Sequence, residues 1–139
     1  MIQATPGQQL PELVIPLTRS DVVRYAGAAT DFNPIHWSDR AARAVGMPGV
    51  IVHGMWTMGA ALRVVTDWCG DPERVVSFSA RFGRPVPIPD TAEGTTVRIQ
   101  AEVTEVSDGI ATVAIQAGAP DEHGEVHSVL TGARARVRL

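Results

Sequence analysis

An α+β fold is predicted for this chain, and three observations predict it. Helical periodicity is confined to the part before Gly70-Asp71-Pro72, a long apolar segment rich in alanine and methionine closes that part, and everything after it alternates in polarity and is rich in Val, Ile and Thr. Helices followed by a run of strands point to α+β rather than to an alternating α/β order.

Residues 10–17 read as a short extended segment, and Pro11 and Pro16 assign it to a sheet edge, where a missing N–H costs no ladder bond. Thr18 and Asp21 have the spacing of a capping box, with Asp in place of the usual Glu. Val22, Tyr25, Ala26 and Ala29 then share one helical face, and Asp31 falls at or just past that helix's end. Pro34 bars Asn33 from the α region, so the chain bends there. Ser38 is an N-cap for a short helix over 39–45, and Gly46 is placed to end it. The strongest helix covers 54–68. Met55, Met58, Ala61, Leu62 and Val65 repeat at core spacing, and apolar residues on its other sides predict burial nearly all round. Beyond it, 75–84, 95–106, 110–119 and 126–138 read as four antiparallel strands, separated by turns such as Ser107-Asp-Gly109.

A chain of 139 residues fits one domain, 1–139, and a domain of that size buries roughly 68% of its unfolded surface. The net charge of −3 and scattered basic side chains exclude nucleic acid as a partner. Arg134, Arg136 and Arg138 alternate along the last strand and mark one solvated sheet face. The longest apolar stretch is interrupted by His53, Arg63 and Asp67, so no membrane span is expected, and the N-terminus lacks the features of a secretory signal. A lone Cys69 fits a reducing compartment, hence a cytoplasmic location, and reads as a packed thiol.

The stretch Asp31-Phe-Asn-Pro-Ile-His36 places a carboxylate and an imidazole five residues apart around an Asn-Pro bend, and His53-Gly54-Met55 opens the long helix seventeen residues later. An Asp after a helix commonly caps it, and a loop His is commonly just hydrogen-bonded; the combination is what points to chemistry. Asp31 and His36 are the candidate proton-transfer pair, and the Gly54 N–H, one of the unpaired first amides of a helix, is the candidate donor to a developing oxyanion. Gly54 also lets a ligand approach closely, having no Cβ. Asn33 reads as the Asx-turn residue that shapes the bend, and His53 as a ring tied near the helix start. Tyr25, Asn33, His53, Met55 and Met58 form the candidate substrate-binding set around the pair. His123 and His127 flank a hairpin turn with no further ligand at useful spacing, so no metal site is expected.

Together, Tyr25-Ala-Gly, Asp31-Phe-Asn-Pro-Ile-His36 and Gly49-Val-Ile-Val-His-Gly54-Met resemble the hydratase-2 signature of the MaoC-like (R)-specific enoyl-thioester hydratases and dehydratases, over roughly residues 21–60. The wording Pro-Leu-Thr-Arg-Ser-Asp-Val-Val-Arg-Tyr-Ala-Gly looks most like the catalytic B subunits of heterodimeric 3-hydroxyacyl-ACP dehydratases. The resemblance implies a single hot-dog domain, an antiparallel sheet wrapped round a central helix. It implies Asp31 and His36 as the catalytic pair, Asn33 in support and Gly54 donating to the thioester carbonyl. It implies an acyl-CoA or acyl-ACP substrate, no cofactor, and a homodimer or a heterodimer with a related hot-dog subunit. Some relatives carry a hydroxyl two turns into the long helix, where this chain has Ala60, Ala61 and Leu62. A hot-dog acyl thioesterase and a non-catalytic stabilising subunit are the alternatives; the Asp/His pair favours hydration over both.

Overall fold

The computed structural model describes residues 2–139. In chain order it contains β1 (Leu13–Leu17), α1 (Arg19–Ala29), a 3₁₀ turn (Pro34–His36), α2 (Asp39–Ala44), α3 (Gly54–Cys69), a second 3₁₀ turn (Pro72–Arg74), β2 (Val75–Phe82), β3 (Thr95–Ser107), β4 (Ile110–Pro120), β5 (Val126–Ser128) and β6 (Leu130–Arg138). The strands form one antiparallel sheet in the order β1-β3-β4-β6-β2, with β5 pairing β4. Helix α3 packs on β2, β3, β4 and β6, giving the hot-dog arrangement of a sheet around one long helix.

Period-two alternation in the strands builds the inner face of that sheet. Val97, Ile99 and Val103 of β3, Val113 and Ile115 of β4 and Val137 of β6 are buried on it. Ala111, Ala117, Ala133 and Ala135 fill the positions between, and these small side chains let α3 lie close. Arg134, Arg136 and Arg138 point to the solvated face, as expected. β1 is an edge strand, paired only with β3.

Three expectations are corrected. Helix α3 is not buried all round: Thr57, Ala61, Val64, Val65 and Cys69 form its buried side, whereas Met55 is 61% exposed and Met58 and Leu62 are half-buried. One sheet covers one side of a helix, and among the described residues the other side stays partly exposed. Ala29, assigned to the inner face of α1, is exposed. The last strand is two strands, because at Val129 the chain changes partners: its N–H donates to Ala117 O (2.9 Å), Ser128 Oγ donates to Leu130 O (2.7 Å), and Leu130 pairs with Phe82 of β2. Gly132, at φ +59°, carries the chain through the irregular stretch that follows, in a conformation open to glycine.

Among the described residues, no helix is long and apolar enough to cross a membrane. Cys69 is a buried free thiol donating to Asp71 O at 3.2 Å.

Candidate active site

Three segments converge at the N-terminus of α3. The first is the end of α1, whose start is fixed as the sequence predicts: the Asp21 carboxylate accepts from the Thr18 N–H (2.8 Å) and hydroxyl (2.9 Å). At its other end Thr30 takes the left-handed conformation, φ +53°, and the Asp31 N–H donates back to Ala26 O (3.1 Å), which swings the Asp31 side chain off the helix axis.

The second segment is the bend. The Asn33 N–H donates to Asp31 Oδ1 (3.2 Å), Asn33 Oδ1 accepts from the Ile35 N–H (3.3 Å), and Trp37 Nε1 donates to Phe32 O (2.9 Å). These bonds wind Pro34–His36 into a single 3₁₀ turn and hold one Asp31 oxygen, leaving Oδ2 to face the rings.

The third is the lead-in to α3. Val52 N–H donates to Val86 O and Ile88 N–H to Val50 O, both at 2.9 Å, stitching residues 50–52 to the segment before β3. Asp39 Oδ1 clamps the same stretch to the helices, accepting from the Val50 N–H (2.8 Å) and from Arg19 Nη2 (2.9 Å), while Arg19 Nε donates to Ile88 O (2.7 Å). The Val50 amide first and Arg19 second hold the Asp39 carboxyl below its ordinary range.

The result is a cavity of about 350 Å³ whose wall includes Asp31, His36, His53, Gly54 and Met55. Asp31 Oδ2 lies 3.9 Å from His36 Nε2 and 4.0 Å from His53 Nε2. His36 Nδ1–H donates to Ile51 O (2.8 Å), since a carbonyl only accepts, so the neutral ring presents the Nε2 lone pair toward Asp31. His53 Nε2–H donates to Asp31 O (3.1 Å), and its ring stacks on His36 with centroids 3.7 Å apart. Asp31 is 49% exposed and the two rings are buried, so the acid faces the opening and the rings form the floor. No side chain caps α3, so its first amides are left without a capping partner at the cavity.

The structure thus brings Asp31, His36, His53, Gly54 and Met55 to one cavity. It leaves the other three sequence candidates off the wall: Asn33 shapes the bend, Tyr25 meets the His53 ring edge-on with centroids 4.8 Å apart, and Met58 lies half-buried a turn along α3. Several wall residues carried no signal in the sequence. Thr57, buried one turn into α3, joins the wall, as do Met47, Val129 and Leu130 from segments distant in sequence. Phe82, 58% exposed, is the least foreseeable. A Cβ on Gly54 would stand 3.0 Å from its ring, so the space that the missing Cβ leaves is bordered by an aromatic face.

Among the described residues, two groups have donor types that suit a metal ion. Ligand atoms of Asp31, His36 and His53 lie within 4.8 Å of one another, as do those of Asp121, Glu125 and His127. In the first, His53 Nε2 carries the hydrogen given to Asp31 O and offers no lone pair to the cluster. In the second, Asp121 accepts from the His123 and Glu125 amides and from His127 Nε2 (2.8 Å), a set that closes the hairpin turn.

Residues 2–119 match the family model described as the MaoC like domain, and the chain belongs to this family of hydratases and dehydratases. It is 39% identical over 90 residues to 3-hydroxyacyl-thioester dehydratase X of Mycobacterium tuberculosis, covering 65% of this chain and 31% of that relative. It is 34% identical over 109 residues to the 3-oxo-4,17-pregnadiene-20-carboxyl-CoA hydratase beta subunit of the same organism, covering 78% of this chain and 81% of that one. A solved MaoC-like dehydratase superposes with a TM-score of 0.90 at 32% identity, over 98% of this chain and 41% of that chain. This chain therefore spans well under half the length of the first relative and of that structure, and most of the second relative.

Proposed function

We propose that this protein is a hydro-lyase that adds water reversibly to trans-2-enoyl thioesters, giving (R)-3-hydroxyacyl thioesters. The observation that carries the reading is the single cavity in which Asp31 Oδ2 and His36 Nε2 stand 3.9 Å apart beside the uncapped start of α3. The thioester carbonyl is placed at the Gly54 N–H, with the conjugated carbons toward the pair and the acyl chain along apolar wall residues such as Ile51, Val86 and Leu130. A water between Asp31 and His36 loses a proton to His36 Nε2 as its oxygen bonds to C3. The displaced electron pair moves to the carbonyl oxygen, where the Gly54 amide and the helix dipole meet the charge. The enolate then takes a proton at C2 from the pair, and every proton is accounted for without a redox partner.

Arg84 on the wall and exposed Arg81 on β2 suit the anionic handle of a CoA or carrier-protein thioester. Pairing with a second hot-dog subunit, identical or related, fits the uncovered side of α3 and the exposed Val76 and Phe82 of edge strand β2. The name of one relative, a beta subunit, supports a related rather than an identical mate. We assign residues 1–139 to one domain, working in the cytoplasm with Cys69 as a thiol.

Purified protein mixed with crotonyl-CoA and longer enoyl-CoA esters should lower the absorbance of the conjugated thioester without releasing free thiol. Persistent absorbance, alone and with a co-purified partner, contradicts the reading, and thiol release from saturated acyl-CoA replaces it with hydrolysis.

A further inference from the structure

His53 is an ionisable member of the cavity that the proposed reaction leaves without a task, and its surroundings are unusual. Its side chain is 2% exposed, Nε2–H donates to Asp31 O at 3.1 Å, and one ring face lies on His36 with planes 23° apart. The remaining ring nitrogen, Nδ1, is buried with no hydrogen-bond partner. A buried polar atom left unpaired is destabilising, so such a group calls for an explanation.

We propose that His53 is a positioning residue: a permanently neutral imidazole that fixes the Asp31 backbone through Nε2–H and seats the His36 ring by stacking, so that a proton reaching the two rings resides on His36 alone. The inference rests on the acid–base chemistry assigned above and adds to it a reason for the pair's geometry.

Charging His53 would place a proton on Nδ1, a buried atom where no acceptor waits. It would also place a second cation against the face of His36 whenever that ring carried its proton. The groups facing His53 are His36, the Asp31 carboxylate and carbonyl, and the Tyr25 ring edge, with Arg84 elsewhere on the wall. Burial first, and the neighbouring His36 after it, hold the His53 imidazole below its ordinary range against the opposing pull of Asp31. The second ring nitrogen of His36, Nε2, instead faces the carboxylate. One bond and one stack from a single side chain therefore set where the acid stands and which ring does the proton transfer.

Nitrogen-detected NMR of the imidazoles in the wild-type protein, across about pH 5–8, tests the charge state directly. His53 should keep its proton on Nε2 and stay neutral throughout; protonation of His53 at or above its ordinary 6.5, or a proton on Nδ1, overturns the proposal. Two variants separate the contributions. His53→Gln keeps a donor toward Asp31 and removes the stack; His53→Phe keeps the stack and leaves the Asp31 carbonyl unpaired. Each should lower kcat by about tenfold or more while KM for enoyl-CoA stays within about threefold, as expected of a group acting on the reacting pair rather than on binding. Wild-type kcat in either folded variant overturns the proposal, and if neither folds the NMR result decides alone. Failure of the wild-type protein to hydrate any enoyl thioester counts against the reaction, and the NMR result still decides on His53.

Discussion

Thr30 adopts φ +53°, a region that costs an L residue about 1–2 kcal/mol, and it does so at the point that turns Asp31 toward the cavity. Replacing it with glycine removes that strain for an unfolded-state entropy cost of about 0.5–1 kcal/mol. Thr30→Gly should therefore raise the urea midpoint slightly and leave turnover near wild type; a clear loss of stability would show that the Thr30 side chain holds the turn by contacts. His53 adds a pH dependence at this scale. Its folded pKa is depressed, so the unfolded chain binds more protons below the ordinary 6.5, and stability present above that value falls as pH drops through the folded one. Denaturation midpoints should decline on acidifying from about pH 7, and His53→Phe should remove that decline. The meeting of Asp31, His36 and Gly54 at one cavity was legible because their motif is local. Thr30 and Phe82 were not: a helix C-cap in left-handed geometry is expected at Gly or Asn, and no sequence spacing links a ring on β2 to a helix start 28 positions earlier.

Among the elements, one carboxylate ties the stretch leading into α3 to helices α1 and α2. Asp39 joins α1, α2 and residue 50, and a Cβ on Gly49 would stand 2.9 Å from its Oδ1. Asp39→Ala should cost about 1–3 kcal/mol, the range for losing charge-assisted bonds, and should lower kcat because Gly54 loses its fixed approach. An unchanged melting temperature and turnover would remove the clamp from the account. Capping boxes, N-caps and the edge strand were read correctly because each is a local signal: Thr18 with Asp21, Ser38 with the Ala41 N–H at 3.2 Å, and Pro16 on β1. The β5–β6 break was missed because Val129 changes partners within an unbroken apolar pattern. The outer side of α3 was misassigned because periodicity reports that a face is apolar, not what covers it.

For the molecule as a whole, that outer side bears on assembly. Met55 and Phe82 are both exposed and both on the wall of the cavity, so a subunit seated there would also finish the mouth of the site. The native mass of the purified protein, alone and co-purified, should be that of a dimer, and a monomer in both cases would contradict the pairing. Order and class of elements were legible across the whole chain, and the cavity was legible only at its chemical end, since its apolar wall is assembled from segments brought together by the sheet. The central claim is that Asp31 and His36 act as a unit on one water beside the start of α3. Its most direct test is the hydration rate of one enoyl thioester by Asp31→Asn, His36→Ala and the double variant. Each single change should reduce kcat by about 10²–10⁴, and the double variant should fall no further than the worse single one. Wild-type turnover in either single variant, or losses that multiply in the double, would contradict the account.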